Sequence, residues 1–344
     1  MNAVSSTLNR SDVSLSASKW ELKQPYSARH VVWVFLFLLI LAVTGQRTNM
    51  DRMFEMNVQA VSHLAGLAPE SQVVKGLSRV GAVMWPPTIA TEEETNQIQG
   101  FDPQQLPLFA RVEQREISTQ RMNLQTLQME STSESKSVLV RPFGYLTDVF
   151  VKMVETLEIA LWGTVFGIAI SVPLAWLAAS NYAPNRAAYF ASRGTISFLR
   201  STPELIVALF LVLAYGFGPI AGVLALGLHS AGFLGKFYAE DIENADRKPQ
   251  EALQAVGASE LRTLWYAVLP QVMPQYIAYT TYVLDRNLRM ATVIGLVGAG
   301  GIGQELKGRF DMFQYSHVTT ILFAIFVFVF VLDQLSARVR SRMI

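Results

Sequence analysis

The chain contains no cysteine in 344 residues. That excludes disulfide scaffolds and thiolate metal sites, and it leaves the redox compartment open. Histidine is scarce as well. His30, His63, His229 and His317 are scattered and form no metal-ligand spacing, so no metal site is expected. Charged residues make up 16% of the chain, where soluble domains usually carry about a quarter. A net charge of +1 gives no basic surplus for a nucleic-acid partner. The phosphate-cradling pattern G-x-x-x-x-G-K-S/T is absent. Gly235-Lys236 lacks both the upstream glycine and the following hydroxyl residue. The chain is therefore not expected to hydrolyse ATP by itself. No Ser/His/Asp arrangement suits a hydrolase, so no catalytic residue is expected.

What the chain does have is apolar sequence. Apolar residues reach 51%, and mean hydropathy is +0.29. The apolar residues fall in blocks, with the charges between them. This pattern predicts an all-α polytopic membrane protein of about six membrane helices. Residues 1–30 are Ser-rich and basic and read as a cytoplasmic tail. Residues 31–45 form a first apolar run, short for a span of about 20 residues. It reads as an uncleaved anchor, with a cleaved signal as the alternative. Either way, residues 46–144 emerge outside. They are hydrophilic and include Glu92-Glu93-Glu94 and a Ser/Thr/Glu tract. A semi-apolar piece from Val73 to Trp85 stops at Pro86-Pro87. Ala110 to Glu130 reads as an exposed helix or a partly disordered arm.

From residue 145 the apolar blocks recur regularly. Spans are expected at about 151–180, 196–217, 220–240, 270–297 and 318–335. Pro173 is expected to kink the first of these. Gly222, Gly227, Ser230, Gly232 and Gly235 suit close helix packing. Arg186 and Arg193 lie in one short loop, and Arg338, Arg340 and Arg342 in the tail. The positive-inside rule then places both termini in the cytoplasm. By the same count the charged island 241–270 faces the cytoplasm.

Three groups of residues carry chemical possibilities. Gly298, Gly300, Gly301 and Gly303 spell G-x-G-x-x-G. No βαβ unit follows, so a dinucleotide site is disfavoured and a break in a membrane helix is the better reading. Such a break can serve as a gate or hinge. Asp285 and Arg289 stand at i,i+4 within a span. They are either a structural ion pair or part of an anion path through Arg289. Arg200 and Glu204 stand at the same spacing and read as a helix-end pair. His229 lies deep in its span and shares a face with Lys236 and Glu240; a hydrogen-bonded histidine is the modest reading.

The island itself reads Glu251-Ala252-Leu253, three residues, Gly257, eleven residues, Leu269-Pro270. It resembles the cytoplasmic coupling loop of ABC importer permeases, with Leu253 in place of a second alanine. Residues 145–344 are similar to the phosphonate-type permeases of that group. The matching stretches are TLEIALWGT from Thr156, GFGPIAGVLAL from Gly216, LPQVMP from Leu269 and RMATVIGLVGAGGIG from Arg289.

The resemblance implies the transmembrane domain of a type I ABC importer in the bacterial inner membrane, moving phosphonate or phosphite by alternating access. It implies a second copy of the chain, two ATP-binding subunits that bring ATP and Mg, and a periplasmic binding protein. The chain itself would bind no cofactor. Glu251, Ala252, Leu253, Gly257, Leu269 and Pro270 would couple to the ATPase. Arg289, Asp285, His229 and the four glycines would line or gate the path. Residues 88–137 would be an insertion relative to the family. The alternatives are a permease for phosphate or another organic anion, an ATPase-independent secondary transporter, and a membrane enzyme using the glycine run for a nucleotide.

Overall fold

In a computed structural model of the chain, the described residues are 28–67, 69–98, 101, 103, 106–107, 109–122 and 129–343. Most of the expected N-terminal tail lies outside them. The chain divides between Val80 and Gly81 into two units.

The first unit holds α1 (Ala28–Arg47), α2 (Met50–Leu64) and the start of α3 (Gln72–Met84). Arg29–Arg47 is long and apolar enough to span a membrane. The helix exceeds the expected 31–45 because it continues at both ends of the apolar run. Its Val, Leu and Phe side chains are exposed all round, as lipid contact requires. In α2 the apolar residues Met50, Met53, Phe54, Val61 and Leu64 recur at helical spacing and are exposed. α3 ends just before Trp85-Pro86-Pro87, because proline disfavours helix at the residue preceding it.

The second unit carries a small sheet and a helical bundle. β1 (Thr91–Glu94), β2 (Arg111–Met122) and β3 (Met129–Arg141) pair antiparallel in the order β1-β3-β2. Within the segment 110–130, expected as a helix or a disordered arm, the described residues 111–122 and 129–130 are therefore strand. Cross-strand pairing of β2 with β3 decides this, and single-segment propensity does not register it. Val138, Leu139 and Val140 are buried. Each member of the acidic run gains a basic partner: Glu92 with Arg115 at 2.7 Å, Glu93 with Arg141 at 2.8 Å and Glu94 with Lys136 at 2.9 Å. Residues 84–88 are stitched to the last helix, where Thr319 and Thr320 donate to the carbonyls of Met84 and Thr88 at 2.9 and 2.6 Å.

The bundle is helical, as expected. It comprises α4 (Gly144–Ala178), α5 (Arg186–Ser201), α6 (Glu204–Tyr215), α7 (Pro219–Asn244), α8 (Arg247–Ala255), α9 (Glu260–Thr263), a π-helical turn (Leu264–Val268), α10 (Leu269–Gly295), α11 (Gly301–Asp311) and α12 (Tyr315–Met343). α4 continues through Pro173 to Ala178. It packs along α7, and the backbones approach closely because the contact residues are small. A Cβ on Gly167 would stand 2.6 Å from the Ser230 Cβ.

Among the described residues four helices are long and apolar enough to cross a membrane, or five if the bent pair α5 and α6 is one span. The expected single span 196–217 is thus broken, with a 91° bend at Thr202-Pro203. Pro203 lacks an N–H and pushes Thr202 to extended backbone at ψ 123°. α10 has the length of a span at 27 residues, but Asp285, Arg286, Asn287 and Arg289 make its C-terminal half polar.

Candidate functional site

The island 241–270 folds as a short lever. The Asp246 carboxylate caps α8 by accepting from the Lys248 N–H at 3.0 Å. Glu251, Ala252, Gln254, Ala255 and Val256 face outward and are exposed. Leu253 is half-buried. At the far end Gly257 has φ +83°, its N–H donates to the Gln254 carbonyl and the Ala258 N–H donates to that of Leu253. That pair of bonds is a Schellman termination, which needs a left-handed residue at this position. The chain then turns into α9, and the π turn leads into α10 at Leu269-Pro270. Proline cannot donate to the preceding turn, and a π turn absorbs that misfit.

Two glutamines, which the sequence reading missed, tie this lever to the bundle. Gln250 is the buried residue of α8. Its amide nitrogen donates to the carbonyls of Ala245 and Asp246 at 3.3 and 3.0 Å. Its amide oxygen accepts from the Tyr182 hydroxyl at 2.9 Å. Burial, reinforced by the Glu260 carboxylate, pushes the Tyr182 phenol above its ordinary pKa, so it stays a donor. Gln271 accepts from the Asp246 N–H at 3.0 Å and donates to the Ala267 carbonyl at 2.5 Å. A polar residue on the inward side of a charged helix was the available signal. Beside the lever, an apolar groove of about 600 Å³ is lined by Val172, Trp176, Trp265 and Met273. Its polar groups already bond one another, as Tyr238 does with Thr280 at 2.7 Å, so it is unsuited to an anion.

The glycine run is a tightly packed break. Gly298, Gly300 and Gly301 all have positive φ. A Cβ on Gly298 would strike the Phe217 ring, and one on Gly301 would lie 2.6 Å from the Thr156 hydroxyl. Gly303 packs against the Thr292 carbonyl. The Gly301 and Ile302 N–H groups donate to Glu155 at 3.0 Å and to the Thr156 hydroxyl at 2.8 Å. The anion at the α11 N-terminus is thus the chain's own carboxylate, held in turn by Lys152 at 2.7 Å. A dinucleotide phosphate would find those donors taken. The described sheet is also antiparallel, which removes the βαβ context.

The ionisable residues form two groups. Asp285 is buried and accepts from Arg289 at 2.8 Å, and Arg289, half exposed, also approaches Asp333 at 3.8 Å. His229 has other neighbours: its Nδ1–H donates to the Thr202 carbonyl at 3.2 Å, and its Nε2 lies 3.4 Å from Glu204. Glu204 pairs with Arg286. The expected Arg200–Glu204 helix pair is absent among the described ion pairs, because the bend at Pro203 separates the two residues onto different helices. Lys236 and Glu240 do pair, at 3.6 Å. Between α4, α7 and α10, the buried Asn287 amide donates to Thr164 and Ser230, each at 2.9 Å.

Residues 171–344 match the family described as binding-protein-dependent transport system inner membrane component. HtxE of Stutzerimonas stutzeri, whose name assigns it to phosphite transport as a permease, is 67% identical over 261 residues, covering 76% of this chain and 100% of that protein. The phosphite transport system permease protein PtxC of the same organism is 44% identical over 189 residues, 55% of this chain and 69% of that one. The phosphate-import permease protein PhnE of Mycolicibacterium smegmatis is 41% identical over 197 residues, 57% of this chain and 37% of that one. With its apolar bundle and these matches, the chain belongs to the binding-protein-dependent transport system inner membrane components and is a permease subunit of an ABC transporter.

Proposed function

We propose that this chain is the membrane-spanning subunit through which an ATP-driven importer moves phosphite or phosphonate inward. The observation that carries the substrate class is the 67% identity to HtxE across that protein's whole length. The family implies ATP-binding subunits and a substrate-binding protein as partners. Two copies of this chain pair, since each offers one lever. Two ATPase subunits grip the exposed faces of α8 from the cytoplasm, and a periplasmic binding protein delivers the oxyanion. ATP and Mg are held by the ATPase subunits, and this chain binds no cofactor. Residues 88–137 are an external insertion on a core spanning 145–344.

The mechanism follows from the stiffness of the lever. ATP binding closes the ATPase dimer and draws the two α8 helices together. Asp246, Gln250 and Gln271 fix α8 to α7 and α10, so this motion reaches the spans rather than dissipating in the loop. Glu251, Ala252 and Leu253 form the gripped surface, Gly257 sets the turn, and Leu269-Pro270 set where α10 begins. The packed break at Gly298, Gly300, Gly301 and Gly303 is the hinge. Arg289 with Asp285, and His229, contribute to the path.

A second reading has a specific basis, the 41% identity to a phosphate-import permease. Titrating the cognate binding protein with phosphite, methylphosphonate and phosphate, then measuring uptake of each, separates the two. Preference for phosphite or methylphosphonate supports the first reading, and preference for phosphate the second.

A further inference from the structure

The bend between α5 and α6 has a charged cluster built around it. Glu204 opens α6, Arg286 comes from α10 and His229 from α7. Their side chains are only 14%, 23% and 11% exposed. Glu204 pairs with Arg286 and stands 3.4 Å from His229 Nε2. The guanidinium also lies over the Phe233 ring, 5.7 Å from its centroid. Three separate helices thus bring one cation, one anion and one imidazole to a single point.

The depth of that point can be worked out. The Gly218 N–H donates to the Gly298 carbonyl at 3.0 Å, so the start of α7 and the end of α10 lie at one end of the bundle. From that end, His229 is about 15 Å in along α7, Arg286 about 14 Å along α10 and Glu204 about 17 Å along α6, at 1.5 Å per residue. Against a hydrocarbon layer about 30 Å thick, the cluster sits near the middle. Ionisable groups there are costly and mark ion or substrate pathways. Helices broken at mid-membrane, with polar groups gathered at the break, are how many transporters build their binding sites.

We propose that the Arg286–Glu204–His229 cluster is the station where this chain contacts the translocated oxyanion. Arg286 reads the charge, and Glu204 is the resident counter-ion with which the cargo competes. This deepens the oxyanion reading above and rests on it. A tetrahedral phosphorus oxyanion presents the same paired oxygens to a guanidinium as a carboxylate does. It can therefore take the place of Glu204 without leaving Arg286 unpaired. The His229 ring, 3.4 Å from Glu204, lines the same point. Arg289 is less suited, because Asp285 and Asp333 flank it with two carboxylates.

The alternative is that Arg286 and Glu204 only hold the bundle together. The double variant Arg286→Gln with Glu204→Gln removes both charges and leaves two amides able to bond each other. The test measures uptake of phosphite, methylphosphonate and phosphate in proteoliposomes with all partner subunits, alongside recovery of assembled complex. The expected result is assembly at the wild-type level with uptake down at least tenfold, and a similar loss in Arg286→Lys. Uptake within twofold of wild type in the double variant overturns the assignment. So does loss of assembly in step with uptake in both variants. If the wild-type complex imports none of the three anions, the oxyanion reading itself fails, and the assignment fails with it.

Discussion

Gly257 ends α8 with φ +83°, and nothing lies within 4 Å of where its Cβ would stand. A substitution here therefore meets no steric clash and tests the backbone alone. An L-residue in the left-handed region costs roughly 1–2 kcal/mol, less for Asn, which adopts it most readily, and more for β-branched residues. Taking about 0.5 kcal/mol for Asn, 1 for Ala and 2 for Val, the population of the Schellman turn relative to its alternatives falls about twofold, fivefold and thirtyfold. The assay is ATP-dependent uptake in proteoliposomes, together with the amount of ATPase subunit that co-purifies. Uptake should fall in the order Gly, Asn, Ala, Val at unchanged levels of the chain in the membrane. If the Val variant transports like wild type, the lever does not depend on this turn. If Asn is as damaging as Val, the loss comes from side-chain bulk at the docking surface and not from the backbone.

Other outcomes follow from neighbouring features. Gln250→Leu leaves the Tyr182 hydroxyl and two carbonyls without their partner, and each unmet buried group costs about 1–3 kcal/mol. ATPase co-purification should drop with membrane insertion intact, and wild-type co-purification would remove Gln250 from the lever. Glu155→Ala frees the Gly301 N–H and should lower the midpoint of thermal unfolding in detergent, with Glu155→Gln milder; equal midpoints for all three would mean that the cap contributes nothing. Replacing residues 114–137 with an Asn-Gly turn joins Glu113 to Val138, which already face each other across β2 and β3. The shortened chain should assemble and transport within about twofold of wild type, since the lost Glu92–Arg115 pair is exposed and worth about 0–1 kcal/mol, and the lost Glu94–Lys136 pair is only partly buried. Aggregation would show that the distal β2–β3 pairing supports the core.

Much of the bundle was legible because lipid imposes simple rules on sequence. Apolar blocks, small residues along 222–235 and the charged island each left a local pattern. What was not legible depended on partners distant in sequence. The strand β3 reads as a polar Ser/Thr/Glu tract until Arg111–Met122 is laid beside it. Glu204 looks paired with Arg200 until Pro203 turns the helix, after which Arg286, 82 residues away, becomes its partner. Gln250 carries no motif, and its importance lies in three bonds made across a loop. Glu155 reads as a stray charge in a span until the glycine break delivers two free N–H groups to it and to Thr156. Gly257 is the opposite case, since a glycine closing a short helix already announces the turn it makes.

The central claim is that this chain conducts a phosphorus oxyanion only when ATP is consumed by subunits gripping α8. The most direct measurement is uptake of radiolabelled phosphite and methylphosphonate into proteoliposomes holding the chain, its ATPase subunits and its binding protein, with and without ATP. The account predicts accumulation that requires ATP, the binding protein and an intact α8 surface. Accumulation that proceeds without ATP, or uptake of neither anion by the complete assembly, would contradict it.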